Sequence, residues 1–137
     1  MAVNADEIST YFERLGWSYE RPDASSFHTA VATRDGITPI HVHVDKRTVR
    51  FAVSTLAPDA EPPGDQALTV LLRANYEMNL TKFALDDDGA VCLRVELPAD
   101  GFCFSHFKDA LTALAHYTDT YGERVKAALL LDHAEVV

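Results

Sequence analysis

Residues 65–98, DQALTVLLRANYEMNLTKFALDDDGAVCLRVELP, decide the fold. Leu68, Leu71, Leu72, Asn75 and Met78 recur at helical spacing and are expected to form the buried stripe of a helix, with Val70 adding width. Asp65 is placed to cap that helix. Apolar residues cover much of its circumference, which predicts contacts on more than one side. After Met78 the period drops to 2, the strand repeat. Residues 80–86 read as a strand with Phe83 and Leu85 inward, and Asp87-Asp88-Gly89 as a turn. Val91, Leu93, Val95 and Leu97 alternate through the partner strand, which Pro98 ends. One helix therefore feeds directly into one β-hairpin, and that hairpin needs further strands and a covering helix to bury its apolar face.

Both are supplied by the flanking sequence. Upstream, Asn4 and Glu7 have capping-box spacing, with Asp6 and Glu7 suited to a helix N-terminus. Ile8, Tyr11, Phe12 and Leu15 form one stripe, and Gly16 is a C-terminal stop. Trp17 and Tyr19 are expected to pack the helix end onto a sheet. Three strands follow. Phe27, Thr29, Val31 and Thr33 share a face of the first (26–33), and Ile40, Val42 and Val44 share a face of the second (38–45). Val49, Phe51, Val53 and Thr55 mark the third. Asp35-Gly36 and Asp45-Lys46-Arg47 are turns. Residues 57–64, with three prolines, are a loop. Downstream, Ser105 is a candidate N-cap. Phe107, Leu111, Leu114, Thr118, Tyr121, Val125 and Ala128 form a near-heptad stripe on a helix reaching about residue 131, with Gly122 a candidate bend. The order α-βββ-α-ββ-α defines an α+β sandwich: one domain, residues 1–137, with a five-stranded, mostly antiparallel sheet flanked by helices.

Charge and cysteine content narrow the function. The formal net charge is −9, with 12 basic against 21 acidic residues. Nucleic-acid affinity comes largely from cations neutralising phosphates, so this balance argues against a general nucleic-acid binder and against an anionic membrane surface. Two cysteines in no metal-like spacing suit a reducing compartment. The acidic N-terminus lacks the apolar stretch of a signal peptide, and no apolar run approaches the roughly 20 residues of a transmembrane span. A soluble, cytoplasmic protein is expected.

No residue pattern specifies catalysis. A Gly-rich phosphate loop, a GxSxG elbow and an HExxH helix are all missing from the sequence. His41 and His43 share a strand face, and His28 on the neighbouring strand is placed to join them. Three imidazoles suit zinc or copper, but Ile40, Val42 and Val44 claim the core side, so these histidines are expected on the less buried face without a metal. Asp86, Asp87 and Asp88 are consecutive, unlike the alternating ligands of a calcium loop, and read as a solvated turn. Cys92 faces away from the main core beside Arg94 and Glu96, with no base in local sequence to activate it. Cys103, between two phenylalanines, is expected in or near the core. Asn75, on an apolar stripe, must find hydrogen-bond partners, most simply the backbone of an adjacent strand. No cofactor or catalytic residue is expected.

The distributed feature is the second sheet face. Ala30, Ala32, Ala52, Ser54, Ala84 and Cys92 would line it, interspersed with His28, His41, His43, Arg50 and Arg94. Small side chains leave a shallow, approachable surface on which a second subunit or a partner segment could pack. Ala30, Ala52, Ala84, Cys92 and Arg94 there, with Val70 and Arg73 on the second helix, are the candidate partner-binding residues.

The element order resembles the type III secretion chaperone-like fold, and residues 71–114 resemble the YbjN family of bacterial sensory transduction regulators. The matching residues are Leu71-Leu72, Asn75, Lys82-Phe83-Ala84-Leu85-Asp86, Gly89, Val91, Leu93 and Glu96-Leu97-Pro98. The helix around Phe107, Ala110, Leu111 and Leu114 completes the match. The resemblance implies an antiparallel sheet with helices, often dimeric, that binds other polypeptides without catalysis, and it carries over no catalytic residue. The expected function is a homodimeric, chaperone-like or regulatory adaptor for an unidentified protein client. The competing expectation is a small-molecule or metal sensor built on His28, His41 and His43.

Overall fold

A computed structural model describes residues 1–34, 36–54 and 62–134. The elements follow the expected order: α1 (Ala5–Leu15), β1 (Ser26–Thr33), β2 (Gly36–Val44), β3 (Thr48–Val53), α2 (Asp65–Glu77), β4 (Lys82–Leu85), β5 (Val91–Pro98) and α3 (Phe104–Asp132). The strands form one five-stranded sheet in the order β1-β2-β3-β5-β4, and every pair is antiparallel. Asp35, Thr55 and most of the proline loop expected at 57–64 lie outside the described residues. No helix among the described residues is long and apolar enough to cross a membrane.

Local signals act as anticipated at several termini. Asn4 and Glu7 form a reciprocal capping box, and Gly16 closes α1 at φ 72°, a left-handed conformation that costs glycine little. Asp45 Oδ1 accepts the Arg47 and Thr48 amides and tightens the β2–β3 turn. Asp86 Oδ1 does the same for Asp88 and Ala90. Both turns are self-satisfied, so the acidic run at 86–88 is a structural turn.

One face of the sheet carries the core. Phe27, Ile40, Val42, Val49, Phe51, Val53, Leu93 and Val95 are all buried there. Phe107 of α3 packs edge-on to Phe12 of α1 at 4.8 Å and tilts against Phe51 of β3 at 5.8 Å, which ties both helices to the sheet centre. Full burial of each such side chain contributes about 1.5–3 kcal/mol. Tyr19 stacks on Phe12 at 4.8 Å, and Trp17 is half-buried against the same cluster, as their position after α1 implied.

The structure corrects the sequence reading in several places. On α2 the buried stripe is Ala67, Leu71, Ala74 and Met78, whereas Leu68 and Leu72 turn outward. The two alanines admit a close approach to α3, so the smaller side chains take the interface. Leu85, at the last position of β4, is 49% exposed because the strand ends there. Cys103 is exposed, and it rather than Ser105 is the N-cap of α3: its amide donates to His106 Nδ1 at 3.3 Å.

Asp65 does not cap α2 either. Gly64 is the N-cap and offers no side chain. The cap comes from the far end of α3, where the Asp132 carboxylate accepts the amides of Gly64 (2.8 Å), Gln66 (2.8 Å) and Ala67 (3.0 Å). At its own helix C-terminus this carboxylate is badly placed, but at the α2 N-terminus it meets free amides and the positive dipole end. A Cβ at residue 64 would lie 2.9 Å from Asp132 Cγ, so a side chain there would push the capping carboxylate aside. Burial pushes the Asp132 carboxyl up, but the three amides pull harder and hold it below the usual range. A carboxyl depressed in the folded state adds stability that is complete above its unfolded value, about pH 4, and is lost as pH falls through the folded value. Asp132→Ala is therefore expected to lower the melting temperature at pH 7, with the difference from the parent chain shrinking under acid. Equal melting temperatures at pH 7 would contradict the cross-helix cap.

Candidate partner-binding surfaces

Strand alternation gives the sheet a second face, over which no helix packs among the described residues. Its residues align in rows across the ladders. His28 opposes His41, His41 opposes Ala52, Ala52 opposes Arg94, and Arg94 opposes Lys82. In the next row Ser26, His43, Arg50 and Glu96 follow one another. Ala84 opposes Cys92, and Ala30 opposes Pro39 nearer the β1 edge. The centre of this face is a shallow depression of about 410 Å³. Ala30 is exposed, while Ala52, Ala84 and Arg94 are half-buried.

Cys92 lies on this face as expected but is only 6% exposed, so little of it is left for a partner. Burial pushes its thiol up, although Arg94 and Lys82 pull the other way. A raised thiol is a poor nucleophile, and that fits a packing role.

The three histidines do not converge. The His28 and His41 rings meet edge to face with centroids 4.5 Å apart, whereas His43 Nδ1 lies 3.3 Å from Ser26 Oγ. Among the described residues, no three His, Cys, Asp or Glu side chains gather closely enough to hold a metal ion.

A second surface lies on α2. With Ala67, Leu71 and Ala74 turned to α3, the outer side of the helix carries Leu68, Leu72 and Tyr76, which are 39%, 70% and 93% exposed. Leu72, Arg73, Tyr76 and Glu77 line a shallow groove along it. Val70 is half-buried against the core at the edge of this strip, and Arg73 is exposed within it. Large apolar side chains grouped on one helix face mark a contact surface more reliably than scattered ones. The sequence signal was present as a stripe too wide for one interface, but the Leu residues were assigned to the wrong side of it.

Asn75 fixes which side faces out. Its amide nitrogen donates to the Phe83 carbonyl at 3.1 Å, and its amide oxygen accepts the Phe83 N–H at 2.7 Å. This is the backbone pairing expected of an amide on an apolar stripe, and it holds α2 against the β4 edge.

Comparison with known proteins places this architecture. The fold is that of type III secretion chaperones. A chain in the crystal structure of the Yersinia pestis type III secretion chaperone SycH, in complex with a stable fragment of YscM2, superposes with a TM-score of 0.57 at 20% identity. The match covers 85% of this chain and 97% of that one. A chain of the ExsC–ExsE complex gives 0.62 at 13% identity, covering 90% and 96%. YbjN from E. coli gives 0.54 at 17% identity, covering 98% and 96%. The family profile of YbjN, described as "Putative bacterial sensory transduction regulator", matches residues 4–127, and the chain belongs to that family. No curated protein matches it.

Burial lowers the His41 imidazole below its ordinary value, and neighbouring His28 lowers it further. Because the folded state favours neutral His41, its contribution to stability is complete above the unfolded value, about pH 6.5, and is lost as pH falls through the folded value. An NMR titration is expected to place the His41 midpoint below that of a free histidine, and His28→Gln is expected to move it upward. A His41 midpoint at or above the free value would contradict this geometry.

Proposed function

We propose that the protein is a non-enzymatic protein-binding module, a homodimeric chaperone-like or regulatory adaptor that acts in the cytoplasm on another polypeptide. Support comes from the fold it shares with the type III secretion chaperone SycH, captured with a fragment of YscM2, and with a chain of the ExsC–ExsE complex. Membership of a family described as regulators points the same way. The observation that carries the reading is the exposed Leu68, Leu72 and Tyr76 strip on a helix otherwise anchored to the core.

That strip is our proposed dimer face. A 13-residue helix is about 20 Å long, so two copies of α2 packed together, with the residues flanking them, approach the ~800 Å² per partner of a stable interface. Leu72 and Tyr76 supply the apolar centre, while Arg73 and Glu77 of each copy are placed to pair across the rim. Val70 borders the contact from the core side. A client would then use surface outside α2, including the exposed part of the open sheet face around Ala30 and Ala84.

The charge of −9 keeps such an assembly soluble and favours basic partners over its general surface. Free Cys92 and Cys103 suit a reducing compartment.

Light scattering after size exclusion tests the dimer. The parent chain is expected at twice its 15.1 kDa mass, and the double variant Leu72→Glu, Tyr76→Glu at the monomer mass with unchanged circular dichroism. A monomeric parent chain would overturn the homodimer. A parent dimer left intact by the double variant would move the interface off α2.

A further inference from the structure

The depression on the open sheet face is lined by two arginines and one carboxylate in a chain whose formal net charge is −9. Ala52, the smallest side chain in its row, is among the residues that line it. His41 on β2 and Arg94 on β5 are the direct cross-strand neighbours of Ala52. Adjacent strands are about 4.8 Å apart, so these two positions stand roughly 10 Å from each other with only a methyl group between them. Arg50 lies two residues before Ala52 on the same face, and its cross-strand neighbour is His43. Two arginines and two imidazoles thus ring one alanine.

Each arginine is braced yet has donor capacity left. Arg50 Nη2 reaches Asp45 Oδ2 at 3.4 Å, and Arg94 Nη2 reaches Glu96 Oε2 at 3.1 Å. Each of these bonds occupies one donor of a guanidinium that has five. Arg50 Nε is buried and has no hydrogen-bond partner among the described residues. A buried donor without a partner is destabilising, and an incoming acceptor would relieve it. His43 is held through Nδ1 by Ser26, which leaves Nε2 as its ligand-facing nitrogen. Among the described residues, Asp86 is the carboxylate lining the depression, beside the Asp45 and Glu96 that hold the two arginines.

We propose that the notch over Ala52 is a binding site for a small multivalent oxyanion, a phosphate- or carboxylate-bearing metabolite. Arg94 and Arg50 bind the oxygens as charge-assisted donors, His41 and His43 close the ring, and the missing side chain at residue 52 provides the room. A volume of about 410 Å³ fits a compact ligand, not an extended chain. The site is separate from the proposed dimer face on α2 and does not depend on it.

The test uses the full chain and two probes, pyrophosphate and citrate, titrated separately at constant ionic strength and followed by amide NMR. Saturable shifts confined to residues 41–43, 50–54 and 92–94 are expected with at least one probe, and which probe binds more tightly separates a phosphate ligand from a carboxylate one. Arg94→Gln is expected to weaken binding about tenfold, the loss of one charge-assisted hydrogen bond. Ala52→Leu, which fills the notch at a half-buried position outside the core, is expected to abolish binding while leaving the remaining spectrum in place. Failure of both probes to give saturable shifts would overturn the site. So would equal binding by Ala52→Leu, or a response to an acidic peptide alone, which would reassign the face to polypeptide docking.

Discussion

Two hydrogen bonds between Asn75 and the backbone of Phe83 decide how α2 presents itself. The donor and acceptor of one edge-strand residue are both satisfied by one side-chain amide. β4 is the edge of the sheet, and an edge residue with free backbone groups is a template for unwanted pairing. The Asn75 amide blocks that template at Phe83 and sets the rotation of the helix at the same time. With Asn75 directed at β4, Ala67, Leu71 and Ala74 meet α3, and Leu72 and Tyr76 face solvent. Phe83 itself packs edge-on to Tyr121 of α3 at 6.3 Å, so the clamp also links α2 to α3 through this side chain.

The Asp132 cap works at the other end of the same helix. Its carboxylate replaces the missing side-chain cap at Gly64 with a bond from α3. α2 is therefore fixed at its start by α3 and near its end by β4. A helix held this firmly can carry exposed leucine and tyrosine without collapsing them inward, which is what a preformed contact surface requires. The open sheet face follows from a different constraint. The buried apolar side chains Ile40, Val42, Val44, Val49, Phe51, Val53, Leu93 and Val95 of the three central strands point to the α1 and α3 side, and the alternate positions hold mainly histidine, arginine and alanine, with Ile37 exposed at the start of β2.

Much of this was legible in the sequence. Strict alternation in β2, β3 and β5 fixed which residues are buried, and the Asn4 and Gly16 signals bounded α1 correctly because both act within a few residues. The small open face around Ala52 and Ala84 was also readable, since a strand has only two sides. The misassignments share a cause. Leu68 and Leu72 were placed inward because periodicity weighs residue size, whereas the rotation of α2 depends on a long-range amide contact and on alanines that allow close packing. Asp132 lies 65 residues and more from the amides it caps, and no local pattern encodes that pairing. Cys103 was drawn toward the core by its phenylalanine neighbours, but helix initiation places its side chain at the surface.

A rigidly seated α2 displays the proposed dimer strip on one side of the molecule, and a one-sided sheet leaves a notch lined by two arginines on another. Both surfaces rest on conformations set by buried contacts elsewhere, so the seating of α2 is the claim on which most depends. Residue-resolved amide hydrogen exchange at Phe83 tests it most directly. An edge-strand amide exposed to water exchanges quickly, whereas one bonded to a fixed side chain is protected. Phe83 is expected to be protected in the parent chain and to lose that protection in Asn75→Ala while Leu93, in the neighbouring strand, keeps its own. Rapid exchange at Phe83 in the parent chain, or protection unchanged by Asn75→Ala, would contradict that seating.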